Sequence, residues 1–191
     1  SKRQIDRLWV VGSNNETAPI IDASYRRLLA ILERHFTSSS YLIGKRPSSS
    51  DFALFGQLSQ LVYFDPTPRE IVHEVSLRTV AWVGLIEDQS GVEVSEDDWG
   101  TFENLPSTIK DLLCEIGRGY VPALLANSKA ITNGDSEWET EIDSCTWKQK
   151  AFPYQAKCLK WINEEYNLLS QSDRDKIDDL LKDTGCEKLI G

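Results

Sequence analysis

Four cysteines and two histidines are the residues of this chain whose types could gather a metal or supply a nucleophile and a base. Cys114, Cys145, Cys158 and Cys186 are scattered, no C-x-x-C pair occurs, and His35 and His73 keep no ligand spacing to them. A structural zinc site draws its ligands from closely spaced pairs, so the expected role of these thiols is that of small buried apolar groups. Unpaired cysteines suit a reducing compartment, which gives a cytoplasmic expectation. There is no G-x-S-x-G elbow, P-loop, dinucleotide fingerprint or H-E-x-x-H pair. Asp and Glu total 30, but the sequence singles out no acid/base pair among them. The chain alone is therefore expected to be inactive, with no metal site, no catalytic residue and no bound cofactor.

The charge balance narrows the partners. Lys plus Arg number 21 against those 30 acids, a net charge of −9 over 191 residues. Such a surface repels nucleic-acid phosphates and anionic membranes alike. No stretch approaches the roughly 18 apolar residues of a membrane helix. The length suits one generous domain, or one and a half small ones, with a real core. Methionine is absent, which leads to the expectation of a processed chain or a piece of a longer product.

The elements that would position any site read as helices. Ile5, Leu8 and Trp9 suggest the last turns of a first helix. Thr17 caps the next, with Pro19 in its first turn, and Ile21, Tyr25, Leu28, Leu29, Leu32 and Phe36 form its stripe. A turn at 41–47 leads to Ser48-Ser49-Ser50-Asp51, a capping box with Asp at the reciprocal position. The run from Phe52 to Val62 is apolar all round, which predicts a central core helix, with Gly56 marking the close approach of a neighbour. Thr67-Pro68-Arg69-Glu70 reads as a further helix start, and a bend near Val75-Ser76 splits the stretch up to Asp88 into two helices. Residues 87–104 hold seven acids and no base, the pattern of an exposed connection, with Trp99 and Phe102 as its anchors.

After Pro106 a long helix is expected, with a stripe of Ile109, Leu112, Leu113, Ile116, Tyr120, Leu124 and Ile131 that Asn127 interrupts. Pro122 removes an amide donor and predicts a kink that steers the helix around a core, with the lining of a ligand pocket as the alternative. Residues 137–150 give the strand signal. With Asp143-Ser144 as a two-residue turn, Glu137 faces Lys150, Glu139 faces Lys148, and Trp138 shares the other face with Ile142 and Trp147. That register is self-consistent, and its tryptophan face belongs against helices. An exposed aromatic platform for a flat ligand is the alternative use of those rings. Two terminal helices come last, the first striped by Tyr154, Cys158, Trp161 and Ile162. The second starts at Ser172-Asp173-Arg174-Asp175 and stops at Gly185.

Residues 21–88 carry a resemblance. The segments SYRRLLAILERHF, YLIGKRPSSSDFALFGQL and AWVGLIED resemble the C-terminal helical domain of bacterial glutathione transferase-like proteins. The specific element is the Leu-x-Gly turn, Leu42-Ile43-Gly44, followed by the Ser48-x-x-Asp51 box and then Trp82. The resemblance gives Gly44, Ser48 and Asp51 structural roles, as the cap and turn of the core helix. It implies a mainly α fold, a helical core over 1–90. Residues 91–191 are then an extension packed on that core: acidic loop, kinked long helix, β-hairpin at 137–150 and two terminal helices.

The same resemblance implies a function. Family members bind glutathione through an N-terminal thioredoxin-like domain, for which this chain has no strand–helix–strand pattern before residue 20. Glutathione is then a cofactor of the full-length parent. This chain supplies one wall of the electrophile pocket, and a homodimer contact. Arg118, Tyr120 and Tyr154, beside the kink and the hairpin exit, are the substrate-binding candidates for that wall. The alternative is a non-catalytic protein-interaction or scaffold module of the same helical fold.

Overall fold

The computed structural model describes residues 7–190, and these are mainly helical with one two-stranded antiparallel sheet. Residues 25–112 form one compact unit; 7–24 and 113–190 together form another. The expected first helix lies partly outside the described residues, and what is described of it is a single 3-10 turn, Leu8–Val11 (η1). The α-helices are α1 (Ala18–His35), α2 (Ser49–Tyr63), α3 (Pro66–Val75), α4 (Leu77–Glu87), α5 (Ser107–Asn133), α6 (Pro153–Leu168) and α7 (Gln171–Leu181). Strands β1 (Glu137–Ile142) and β2 (Cys145–Lys150) make the sheet. Two short 3-10 turns, Glu96–Asp98 (η2) and Phe102–Asn104 (η3), lie in the acidic loop, and a last one is Cys186–Leu189 (η4).

In the unit 25–112 the core is Leu29 and Leu32 of α1, Leu58 and Val62 of α2, Ile71 and Val72 of α3, and Trp82, Val83 and Ile86 of α4, with Tyr41 and Leu42 from the turn. Each such side chain, fully buried, contributes about 1.5–3 kcal/mol. Phe36 stacks on Trp82 at 4.9 Å between ring centroids, and the Trp82 indole donates to the Ser40 carbonyl at 3.1 Å. The expected division at Val75-Ser76 is present. Ser76 caps α4 by accepting from the Thr79 amide, and its hydroxyl donates to Glu33 Oε2 at 2.9 Å.

Several sequence expectations need correction here. Helix α2 is not enclosed on all sides: it buries Asp51, Leu58 and Val62, while Phe52 is half exposed. A helical face with enough buried contacts stands without the opposite face being covered. Gly56 has open space around it, so no neighbour approaches there. Helix α3 starts at Pro66 with Asp65 as cap, two residues before Thr67-Pro68. Pro66 already meets the need for an N1 residue without an amide donor. Thr17 does stand at the head of α1, but its hydroxyl donates to the Gly12 carbonyl at 2.8 Å instead of capping amides.

In the other unit the hairpin has the expected register throughout, Glu137 opposite Lys150 and Glu139 opposite Lys148. Asp143 and Ser144 both adopt positive φ, 49° and 62°, as a two-residue turn that follows strand twist requires. Trp138 and Ile142 are buried, which removes the exposed-platform reading for Trp138. The stripes of the long helices shift: α5 buries Val121, Leu124 and Asn127, while Ile116 and Tyr120 are exposed, and Tyr154 and Trp161 of α6 are exposed too. Helix α7 begins two residues early, capped by Ser170, whose hydroxyl accepts from the Asp173 amide. Gly185, with φ 86°, stands at the head of η4, not at the end of α7.

Candidate functional site

The turn preceding α2 is organised around one carboxylate. Ser48, extended at φ −110° and ψ 175°, begins the helix and forms the capping box with Asp51. Asp51 is wholly buried. Its Oδ2 accepts from the Ser48 amide at 2.9 Å and the Ser48 hydroxyl at 2.7 Å, while Oδ1 accepts from the Leu42 amide at 2.7 Å. A buried charge is tolerable only when its lone pairs are met in this way. The Leu42 bond is the new element: it fixes the turn to the helix it precedes.

Gly44 continues the same device. Its φ of 83° is left-handed, and a side chain there would strike the backbone of Asp98 and Gly100. The Lys45 amide donates to the Asp98 carbonyl at 2.7 Å, and the Arg46 guanidinium lies 4.3 Å from the Trp99 ring centroid. Trp99 is therefore an anchor of the acidic loop, as expected, through its partly exposed ring and its neighbouring backbone. Ser48 and Asp51 are thus joined by hydrogen bonds, and Gly44 lies in the turn between two bonded amides, those of Leu42 and Lys45.

His35 is buried beside it. Nε2 lies 2.9 Å from the Tyr41 carbonyl and Nδ1 2.7 Å from the Thr108 hydroxyl. A carbonyl can only accept, so Nε2 carries the hydrogen and, in the neutral ring, Nδ1 accepts from Thr108. Both nitrogens are engaged in holding the chain, which leaves neither free to serve as a base.

The three wall candidates lie in the other unit, and the structure does not gather them into one cavity. Arg118 reaches Asp143 of the hairpin turn at 3.3 Å and Glu115 at 3.5 Å. Its charge is committed to fastening the hairpin to α5. Tyr120 is partly exposed, and burial, with the nearby Cys158 thiol, pushes its hydroxyl above the ordinary value. It is a hydrogen-bond donor at neutral pH, not a base. Tyr154 stands one turn before Cys158 on α6 and meets Trp161 edge-on at 5.9 Å. Tyr154 thus packs along α6 with Trp161, whereas Arg118 is turned to Glu115 and Asp143.

A groove of about 560 Å³ opens in this unit between α5 and β1. Gly117, Val121, Pro122, Leu125 and Lys129 line it from the helix, Glu137 to Thr140 from the strand, and Lys188 from η4. Arg118, Tyr120 and Tyr154 are not among its lining residues. Pro122 lines this cavity, which is the alternative use of the kink rather than the steering role expected first. Asn127, read from sequence as an interruption, is fully buried. Its side-chain amide accepts from the Phe152 N–H at 2.7 Å and donates to the Phe152 carbonyl at 2.9 Å, so it satisfies one backbone unit as a strand would.

Among the described residues no group of three or more His, Cys, Asp or Glu is placed to hold a metal. No described helix is long and apolar enough to cross a membrane. Neither a protein family, nor a curated protein, nor a solved structure matches this chain.

Proposed function

We propose that this chain is the C-terminal helical domain of a glutathione transferase-like protein. The observation that carries the reading is the Asp51 carboxylate, which joins the Leu42-Ile43-Gly44 turn to the capping box of the core helix. Those are the residues on which the resemblance rests. Their burial and bonding supply the physical reason for such a motif: a turn held by a buried charge presets the entry of the core helix.

In this reading glutathione is bound by a thioredoxin-like domain in the parent protein, and its thiolate attacks the electrophile there. The helical domain contributes an apolar wall and a contact between two copies. Tyr120 and Tyr154 are the better wall candidates, as exposed aromatic rings with hydroxyl donors. Arg118 has its charge occupied by Glu115 and Asp143.

The test is made on the parent protein. Retention on immobilised glutathione and conjugation of chlorodinitrobenzene by the parent, absent from the 191-residue chain, is the expected pair of results. A parent with no thioredoxin-like segment would overturn the proposal. A parent that has the segment and neither binds glutathione nor turns over would instead favour the interaction module.

A further inference from the structure

The groove beside β1 has a geometry that identifies its occupant. Four consecutive strand residues, Glu137 to Thr140, line it. Successive side chains of a strand point to opposite faces, so a groove lined by all four runs along the strand's edge, not over a face. The opposite flank of the hairpin is taken: η1 packs along β2, with Gln149 donating to the Val10 carbonyl.

Strand β1 therefore has an open edge, and the register says which groups it shows. The turn Asp143-Ser144 makes Ile142 and Cys145 the closing hydrogen-bonded pair. Thr140 and Trp138 then also bond toward β2, and the Ser136 carbonyl accepts from the Ala151 amide in the same phase. The amides and carbonyls of Glu137, Glu139 and Glu141 point the other way. None of them has a hydrogen-bond partner among the described residues.

We infer that this edge binds an extended peptide by strand addition, and that the peptide alternates basic and small apolar side chains. Main-chain bonds to Glu137, Glu139 and Glu141 would supply the affinity. The side chains of these three residues form an acidic row on the exposed face; Glu137 is already paired with Lys148 at 3.2 Å, so Glu139 and Glu141 are the carboxylates that the basic residues of the peptide would meet. The intervening residues fall on the side of Val121 and Leu125. Lys129 and Lys188, which have no ion-pair partner among the described residues and outnumber the one other charged residue of that lining outside the strand, Asp135, keep basic side chains off that side. A second copy of this chain does not fit, because pairing two β1 edges sets glutamates against glutamates.

The experiment is fluorescence anisotropy of a labelled peptide alternating lysine and valine, titrated with the 191-residue chain. Saturable binding is expected, with no binding of the glutamate–valine counterpart. N-methylation of the edge-facing amides should weaken binding about tenfold, through loss of main-chain bonds. The pair Glu139→Lys with Glu141→Lys should weaken the lysine peptide about tenfold and let the glutamate peptide bind. The same two reversals in the acidic loop, Glu93→Lys with Asp97→Lys, should change nothing, and unchanged tryptophan emission checks that the hairpin is intact. Absence of binding overturns the inference. So does binding indifferent to N-methylation, since attraction to a chain of net charge −9 would then explain it, and so does self-association through this edge.

Discussion

The carboxylate of Asp51 meets the Leu42 amide, the Ser48 amide and the Ser48 hydroxyl in a space closed to water. Read from sequence, Asp51→Ala removes one cap, a loss of about 1–2 kcal/mol. The added Leu42 bond raises the expected loss to about 3 kcal/mol, because one buried amide and one partly buried amide are left without acceptors. Asp51→Asn, which keeps one acceptor oxygen but loses the charge, should fall between the wild type and the alanine variant. Chemical denaturation of the three proteins checks the order, and equal stability of Asp51→Ala and wild type would refute the assignment. The box was legible because both of its members lie within four residues of each other. Asn127 was not: its partner, Phe152, is 25 residues away, and nothing local distinguishes a buried amide with a backbone partner from a polar flaw in a stripe.

Elements were legible where several local signals agreed. The hairpin has turn geometry, charge pairs and an apolar face that all demand one register. Helix starts were less so. Pro66 and Pro68, or Ser170 and Ser172, offer competing caps two residues apart, and only tertiary packing chooses. The join of α3 and α4 to α1 shows what packing adds. Glu33 of α1 accepts from the Ser76 hydroxyl, the Arg78 amide and the Arg78 guanidinium. Partial burial pushes the Glu33 carboxyl up, but the bonds from Arg78 and Ser76 and the cation's charge overcome it, leaving the carboxyl below its ordinary value. A carboxyl lowered by folding stabilises fully above its unfolded value, and that contribution disappears as pH falls through the folded one. Glu33→Gln should therefore lower stability at neutral pH, by about 1 kcal/mol or less for a partly solvated group. The gap between variant and wild-type melting temperatures should close in strong acid. A gap that widens on acidification would contradict the sign.

For the molecule as a whole, the six tryptophans report on both units at once. Trp9, Trp99 and Trp161 are about half exposed, whereas Trp82 and Trp138 are 4% and 5% exposed. Acrylamide quenching should resolve an accessible and a protected population, the protected one blue-shifted, because the Trp138 ring nitrogen has no polar partner among the described residues. Trp138→Phe should remove protected emission and leave the accessible part unchanged. One uniform quenching constant would contradict the buried hairpin face. Composition and charge alone weigh against a nucleic-acid partner, yet they could not reveal the division of the chain. That division depends on contacts such as Gln149 with Val10, 139 residues apart.

The separation has a consequence for synthesis. Residues 25–112 are continuous, so the ribosome delivers everything that unit needs while residues 113–191 are still unmade. The other unit is assembled from both ends of the chain. Residues around η1 emerge early and must wait for β2, more than a hundred residues later, before Gly12 finds the Trp147 ring and Val10 finds Gln149. During that interval the apolar turn Leu8–Val11 is without its partner strand, which leaves it open to capture by a chaperone.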